Sequence, residues 1–155
     1  MKLKHVMIGI VVLLLDQFTK IAAESMLSDG AIAVIPGFFR LNYAENSGAA
    51  WSMLEGKMWF FYIITIIALI AMVMFYRNQT DADELIKVAL VLMMAGTIGN
   101  FIDRLCFQHV RDFLDFNIFG YDFPIFNVAD MALCIGVFLI IADVFLENSG
   151  LIVKK

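Results

Sequence analysis

The chain has 155 residues, of which 62% are hydrophobic and 17% charged, with a mean hydropathy of +0.86. Soluble domains run at about 45–50% apolar and about 25% charged, so a water-soluble fold of this one-domain length is excluded and a membrane protein is the simplest account. A formal charge of −4 and a pI near 5.0 exclude nucleic acid as a partner, because no basic stripe exists to neutralise phosphates.

Four apolar segments are long enough to cross about 30 Å of hydrocarbon, which takes roughly 20 helical residues. The first, residues 5–23, follows Met1-Lys2-Leu3-Lys4-His5 and imitates a secretory signal peptide. Its apolar run contains Asp16 and Lys20, and the cleavage-like Ala31-Ile32-Ala33 lies far downstream, so a retained first span is expected. The long connection 24–57 contains residues 34–43, Val-Ile-Pro-Gly-Phe-Phe-Arg-Leu-Asn-Tyr, rich enough in aromatic and β-branched side chains to read as strand. The second span, 58–76, carries no charge. A short polar turn, 78–83, leads to the third span, 85–105, which is polar near its C-terminal end. Residues 106–127 include another strand-like run, 110–116. The fourth span, 128–146, begins polar and becomes apolar. The expected fold class is an all-α membrane protein of four up-down transmembrane helices, forming a single domain over 1–155.

Orientation follows from charge. Lys2, Lys4, Arg77, Lys87, Lys154 and Lys155 lie on the side of the termini, against Lys20, Arg40, Lys57, Arg104 and Arg111 on the other. By the positive-inside rule both termini are expected to be cytoplasmic.

An up-down arrangement brings most polar groups to one face, whichever way the chain is inserted. Asp16 and Lys20 sit late in the first span, Asn46 before the second, and Asn100, Asp103 and Arg104 late in the third. Asn127 and Asp130 open the fourth span, with Asp112 and Asp115 in the adjoining loop; Asp143 is left at the opposite end. Ionisable groups inside spans are costly and mark functional sites. Structural roles compete for each. Asp16 and Lys20 are spaced i, i+4, as in an ion pair, and Lys20 can snorkel to the interface. Asn100, Asp103 and Arg104 share a helical face, as in a polar clamp between helices. Asn127-x-x-Asp130 has the form of a capping box.

The chemistry narrows by elimination. His5 and His109 are the only histidines and no H-E-x-x-H is present, whereas a zinc hydrolase needs about three protein ligands; neither metal nor cofactor is expected. No G-x-S-x-G elbow appears. Cys106 precedes His109 by three residues, but Cys106 and Cys134 are read as small buried hydrophobes, and two cysteines make no disulfide framework. Carboxylates remain. Two close together at a wet membrane edge cannot both ionise cheaply, so one keeps a proton near neutral pH. The ionised member can activate water while the protonated one donates to a scissile carbonyl. Asp130 is nominated as one member, with Asp112, Asp115 or Asp103 as its partner.

Five segments then carry a family resemblance: residues 16–20 (Asp-Gln-Phe-Thr-Lys), 46–51 (Asn-Ser-Gly-Ala-Ala-Trp), 99–104 (Gly-Asn-Phe-Ile-Asp-Arg), 110–113 (Val-Arg-Asp-Phe) and 123–130 (Phe-Pro-Ile-Phe-Asn-Val-Ala-Asp). Along nearly its whole length the chain resembles the lipoprotein signal peptidases, the bacterial signal peptidase II family. The resemblance implies Asp112 and Asp130 as the catalytic pair. It also implies supporting roles, toward the pair or the substrate, for Asp16, Lys20, Asn46, Gly48, Asn100, Asp103, Arg104 and Asn127. It further implies a small extracytoplasmic β element and a short helix beside the membrane, with Phe38, Phe39 and Tyr43 at headgroup level. The implied activity is cleavage of prolipoproteins just before a diacylglyceryl-modified cysteine, at the outer face of the bacterial cytoplasmic membrane, with sensitivity to globomycin-like peptides. Membrane lipid and prolipoproteins are the expected partners, and a monomer is expected. The rival reading is a small ion or proton transporter lined by Asp16, Lys20, Asp103 and Asp130; it would need polar groups continuing through the membrane, and the second span has none.

Overall fold

The computed structural model of the chain describes residues 1–48, 56–80 and 83–149. Four helices, α1 (Leu3–Met26), α2 (Met58–Asn78), α3 (Glu84–Phe107) and α4 (Val128–Asn148), are each long and apolar enough to cross a membrane. Between them lie strands β1 (Ile32–Ile35), β2 (Phe39–Asn46), β3 (Val110–Ile118) and β4 (Tyr121–Asp122), paired in the order β1-β2-β3-β4 with every pair antiparallel. The four expected spans are therefore present, each lengthened by one to three residues at either or both ends.

Helix α3 is the centre of the bundle. Over its membrane-length window 56% of residues are buried, against 17% in α1 and in α2 and 22% in α4. Its small residues make this possible: Ala89, Ala95, Gly96 and Gly99 are all buried and let neighbouring backbones approach. At Gly96 the approach is closest, since a Cβ there would lie 2.3 Å from the Ala129 carbonyl oxygen of α4. Helix α1 packs on α3 and α4, and α2 on α3.

The ends of the helices confirm the up-down order. Near the chain termini, His5 of α1 takes a hydrogen bond from the Tyr76 hydroxyl of α2 at 2.5 Å, and its Nε2–H donates to Glu84 of α3 at 2.9 Å. Beneath this polar knot, Tyr76, Ile86, Leu90, Val91 and Met94 form one core cluster, joined by Ile8, Leu69, Met72 and Ile140. At the other end the sheet packs on α1 and α3. Ala23, Leu27 and Phe113 form the second cluster there, with Leu41, Tyr43, Leu114 and Val128 packed against it.

One expectation about the loops changes, and the described residues bear on two others only in part. The strand-like run 34–43 is not one strand but a hairpin, because Pro36 and Gly37 (φ +76°) form a turn closed by the Phe38 N–H on the Ile35 carbonyl at 3.0 Å. Pro before a glycine of positive φ is the type II pattern. The short helix expected in the first loop is absent from the described part of that loop; residues 49–55 lie outside the described residues. Finally, only Phe38 of the three loop aromatics is well exposed. Phe39 stacks on Phe116 at 4.5 Å and Tyr43 packs on the second core cluster.

Candidate active site

The site is built where β3 meets the start of α4. The segment before α4 is stitched to β3, with Phe126 N–H on the Leu114 carbonyl at 3.1 Å and Leu114 N–H on the Phe126 carbonyl at 2.8 Å. That stitch sets Asn127 beside Asp112. Asn127 then starts α4 as its N-cap: its side-chain oxygen accepts the Asp130 N–H at 3.0 Å, while the Asp130 carboxylate accepts the Asn127 N–H at 3.2 Å. The capping box read from the sequence is thus present, and it fixes Asp130 at the mouth of the helix.

Two asparagines link the two acids. Asn127 Nδ2 donates to Asp112 at 2.6 Å and lies 3.1 Å from the side-chain oxygen of Asn100. Asn100 Nδ2 in turn donates to Asp130 at 2.8 Å. On β2, Asn46 lies two residues beyond Ala44, the partner of Asp112, and so shares its face of the sheet. Its Nδ2 donates to the second oxygen of Asp112 at 3.0 Å.

Behind the asparagines is a buried charge cluster. Lys20 makes the expected i, i+4 pair with Asp16, at 3.0 Å, but is wholly buried rather than snorkelling, because Asp103 at 3.2 Å and Asn100 at 2.8 Å also surround it. Asp16 also accepts the Ala129 N–H at 2.9 Å, a second tie to the first turn of α4. Asp103 accepts both the backbone N–H of Arg111 at 3.0 Å and its guanidinium at 2.8 Å. Strand alternation therefore turns Arg111 toward Asp103 and Asp112 toward the opposite side.

Asp112 and Asp130 line the same cavity of about 860 Å³, together with Asn46, Asn100 and Arg104. Its deeper wall is apolar or weakly polar, with Thr65 from α2, Thr97 from α3 and Met131, Leu133 and Cys134 from α4. Asp103 and Asp115, the other acids considered as partners for Asp130, are elsewhere. Asp103 is enclosed with Lys20 and Arg111. Asp115 pairs with Arg40 at 2.5 Å, takes a bond from Asn42 at 2.8 Å and lines a separate cavity. Burial pushes the Asp112 carboxyl up to about 7, and charge on Asp130 adds to the rise; the bonds from Asn46 and Asn127 pull the other way.

Several residues were not singled out from the sequence. Gln17 accepts from Arg111 at 3.2 Å and donates to Asp16 at 3.0 Å, and Glu24 pairs with Arg111 at 3.1 Å. Tyr62 donates to the Arg104 carbonyl at 3.0 Å. Apart from the bond of Gln17 to its neighbour Asp16, their partners are about 40 to 95 positions away, and nothing in their spacing marks them. Gly48 contributes through its backbone: its carbonyl accepts from Arg104 Nη2 at 3.1 Å and its N–H donates to Asn46 at 3.0 Å. Arg104 stacks over Phe61, and its Nε is buried with no partner among the described residues. Cys106 and Cys134 are exposed, not buried as expected, and Cys134 is exposed on the wall of the cavity. His109 faces Glu45 at 3.7 Å and the Phe107 ring.

Four membrane-length helices and a small sheet that gather two carboxylates at one cavity make this an integral membrane protein with the groups needed for acid–base chemistry. The chain belongs to the signal peptidase II family of peptidases: the family described as Signal peptidase (SPase) II matches residues 8–146. It is 49% identical over 146 residues to a lipoprotein signal peptidase of Staphylococcus aureus (strain bovine RF122 / ET3-1), covering 94% of this chain and 90% of that one. It is 52% identical over 135 residues to a lipoprotein signal peptidase of Staphylococcus haemolyticus (strain JCSC1435), covering 86% and 85%. Among solved structures, a bacterial membrane enzyme determined by the in meso method at 2.3 Å resolution superposes with a TM-score of 0.86 at 47% identity, covering 98% of this chain and 93% of that one.

Proposed function

We propose that the chain, as one domain, removes signal peptides from prolipoproteins by aspartyl chemistry, with Asp112 and Asp130 as the catalytic pair. The observation that carries the reading is the shared cavity: both carboxyls face it, linked through Asn127 and Asn100. Family membership supports the substrate class.

In this mechanism a water lies between the two acids. With its carboxyl near 7, Asp112 holds a proton in a large share of molecules at neutral pH and donates it to the scissile carbonyl oxygen. Asp130 takes a proton from the water, whose oxygen attacks the carbonyl carbon. The tetrahedral intermediate collapses as the carbonyl re-forms, its proton returns to Asp112, and the proton on Asp130 passes to the leaving amide nitrogen. Asn46, Asn100 and Asn127 hold the carboxyls in register. Lys20, balanced by Asp16 and Asp103, keeps positive charge behind them. Arg104, which lines the cavity and donates to the Gly48 carbonyl, contacts the substrate backbone. Helical scaffolding of this kind costs no reorganisation at the moment of reaction.

The apolar deeper wall suits the diacylglyceryl group of a modified cysteine, with cleavage on its N-terminal side. The membrane is the bacterial cytoplasmic membrane, the termini are cytoplasmic, the site is at the outer face, and the working unit is a monomer in contact with lipid. The transporter reading gains nothing, because α2 from Met58 to Tyr76 carries no Asp, Glu, Lys, Arg or His to continue a relay. The test is incubation of the purified chain with a prolipoprotein, with and without diacylglyceryl modification, and mass analysis of the products. Cleavage of the modified form alone, immediately before the cysteine, is expected. Failure to cut it, or cleavage at another bond, would overturn the proposal.

A further inference from the structure

The cavity that holds the proposed catalytic pair has a second polar layer that peptide hydrolysis does not use. Thr65 of α2, Thr97 of α3 and Cys134 of α4 all line it. Thr97 precedes Asn100 by three residues and Cys134 follows Asp130 by four, so each lies about 5 Å farther into the bundle than the carboxylate layer. Thr65 is at the same depth. One turn nearer the site, Tyr62 packs edge-on against Phe101 at 6.1 Å, and farther in Leu69 and Met72 join the core cluster of Leu90 and Met94. The seam between α2 and α3 therefore places Thr65 across from Thr97. Met131 and Leu133 make the neighbouring wall apolar.

The chain has four threonines. Thr19 donates to the Leu15 carbonyl at 2.8 Å, a common arrangement on a helix, and Thr80 donates to Asp83 at 2.7 Å. Thr65 and Thr97 also sit inside helices, but neither hydroxyl makes a hydrogen bond among the described residues. Both side chains are half-buried and border the cavity. A hydroxyl left unpaired in apolar surroundings is costly, so two donors at this depth suit a ligand that brings acceptors to them. The backbone of an apolar signal sequence offers few, because a segment in hydrocarbon satisfies its own carbonyls as helix. The ester carbonyls of an acylglycerol have no such internal partner. They hang a few bonds beyond the cysteine sulfur, beside the scissile bond.

We infer that the hydroxyls of Thr65 and Thr97 donate to the ester carbonyl oxygens of the diacylglyceryl group, so that the site reads the ester linkages of its substrate as well as the apolar bulk of the chains. The inference rests on the substrate class proposed above. An ether-linked lipid of equal length would fill the same space but leave both hydroxyls desolvated and unpaired, which is how a site built for hydrogen bonding rejects an analogue.

The full chain, purified in detergent, is given two synthetic prolipoprotein peptides that differ only in the lipid on the cysteine, diacylglyceryl (ester) or dialkylglyceryl (ether) of equal chain length. The readout is kcat/KM for each. The parent should cut the ester form about 25-fold better, two hydrogen bonds at about fivefold each. Thr65→Val/Thr97→Val keeps the side-chain shape and removes the hydroxyls, so the preference should disappear; Thr65→Ser/Thr97→Ser should keep it. If thermal unfolding shows that the double valine variant does not fold, each single valine variant should lower the preference about fivefold. A parent without preference, a preference that survives loss of both hydroxyls, or one that the serine pair loses would overturn the inference. A parent that cuts neither lipidated peptide would overturn the substrate class itself.

Discussion

A single methyl group at Gly99 should disable both the fold and the site. A Cβ there would lie 2.4 Å from Asp16 Oδ2 and 3.1 Å from its Cγ. Asp16 has nowhere to go. It is fully buried, with one oxygen on the Ala129 N–H at 2.9 Å and the other held by Lys20 and Gln17, each at 3.0 Å. Overpacking a filled site costs about 1–3 kcal/mol, and losing one hydrogen bond to a charged group about 1.5–3 kcal/mol. Replacing a helical glycine by alanine returns about 1 kcal/mol. Gly99→Ala should therefore lose about 2–5 kcal/mol, a fall of roughly 10 °C in unfolding temperature for a chain of this size. Because Ala129 adjoins Asp130, a shift of about 1 Å there should also slow cleavage by about 100-fold. Gly9→Ala is the control. Its Cβ would meet only Val91 Cγ1 at 3.4 Å, so its unfolding temperature should hold or rise. The assay is thermal unfolding of the detergent-solubilised protein by intrinsic fluorescence, with turnover measured on the same samples. If Gly99→Ala unfolds and cleaves like the parent, the described packing of α1 against α3 and α4 is wrong.

Two further outcomes follow from the buried charges. Asp103→Asn leaves Lys20 and Arg111 short of an anionic partner, and breaking a buried pair in this way costs about 3–5 kcal/mol. The yield of folded protein should drop, and normal thermal stability would instead move Asp103 into the chemistry. The raised carboxyl of Asp112 makes stability depend on pH. Between its ordinary value of 3.8 and about 7 the unfolded chain has released a proton that the folded chain keeps, so its contribution to stability falls as pH rises through that window and is level above it. The unfolding temperature of the parent relative to Asp112→Asn should accordingly decline from pH 4 to 7, and a constant difference would count against the raised carboxyl.

The spans were legible because hydrocarbon thickness demands a minimum apolar length, and the four segments met it wherever the loops led. The capping box was equally legible, since Asn127 and Asp130 interact within one turn and need no tertiary context. Convergence of Asp16, Lys20, Asn100, Asp103 and Asp130 followed from alternation of direction alone. What alternation could not supply was side-chain direction across elements. Lys20 has the reach to snorkel, and Asp103 and Asn100 on α3, together with Asp16 one turn back on α1, hold it inside. Arg111 and Asp112 are neighbours in sequence but divide between the charge cluster and the cavity because β3 is extended there. Periodicity also left three acids open as partners for Asp130; the stitch of Phe126 to Leu114, a contact across 12 positions, is what sets Asp112 rather than Asp115 beside Asn127. The hairpin at Pro36-Gly37 was written in the sequence as turn chemistry, but the surrounding aromatic run masked it.

The most direct test of the proposed catalytic pair is turnover of a lipid-modified prolipoprotein by Asp112→Asn and by Asp130→Asn, each first shown to be folded by its unfolding transition. Removing a positioned acid or base costs about 100- to 10,000-fold, so both variants should fall at least that far while remaining folded. Parent-like turnover by either one would contradict the account.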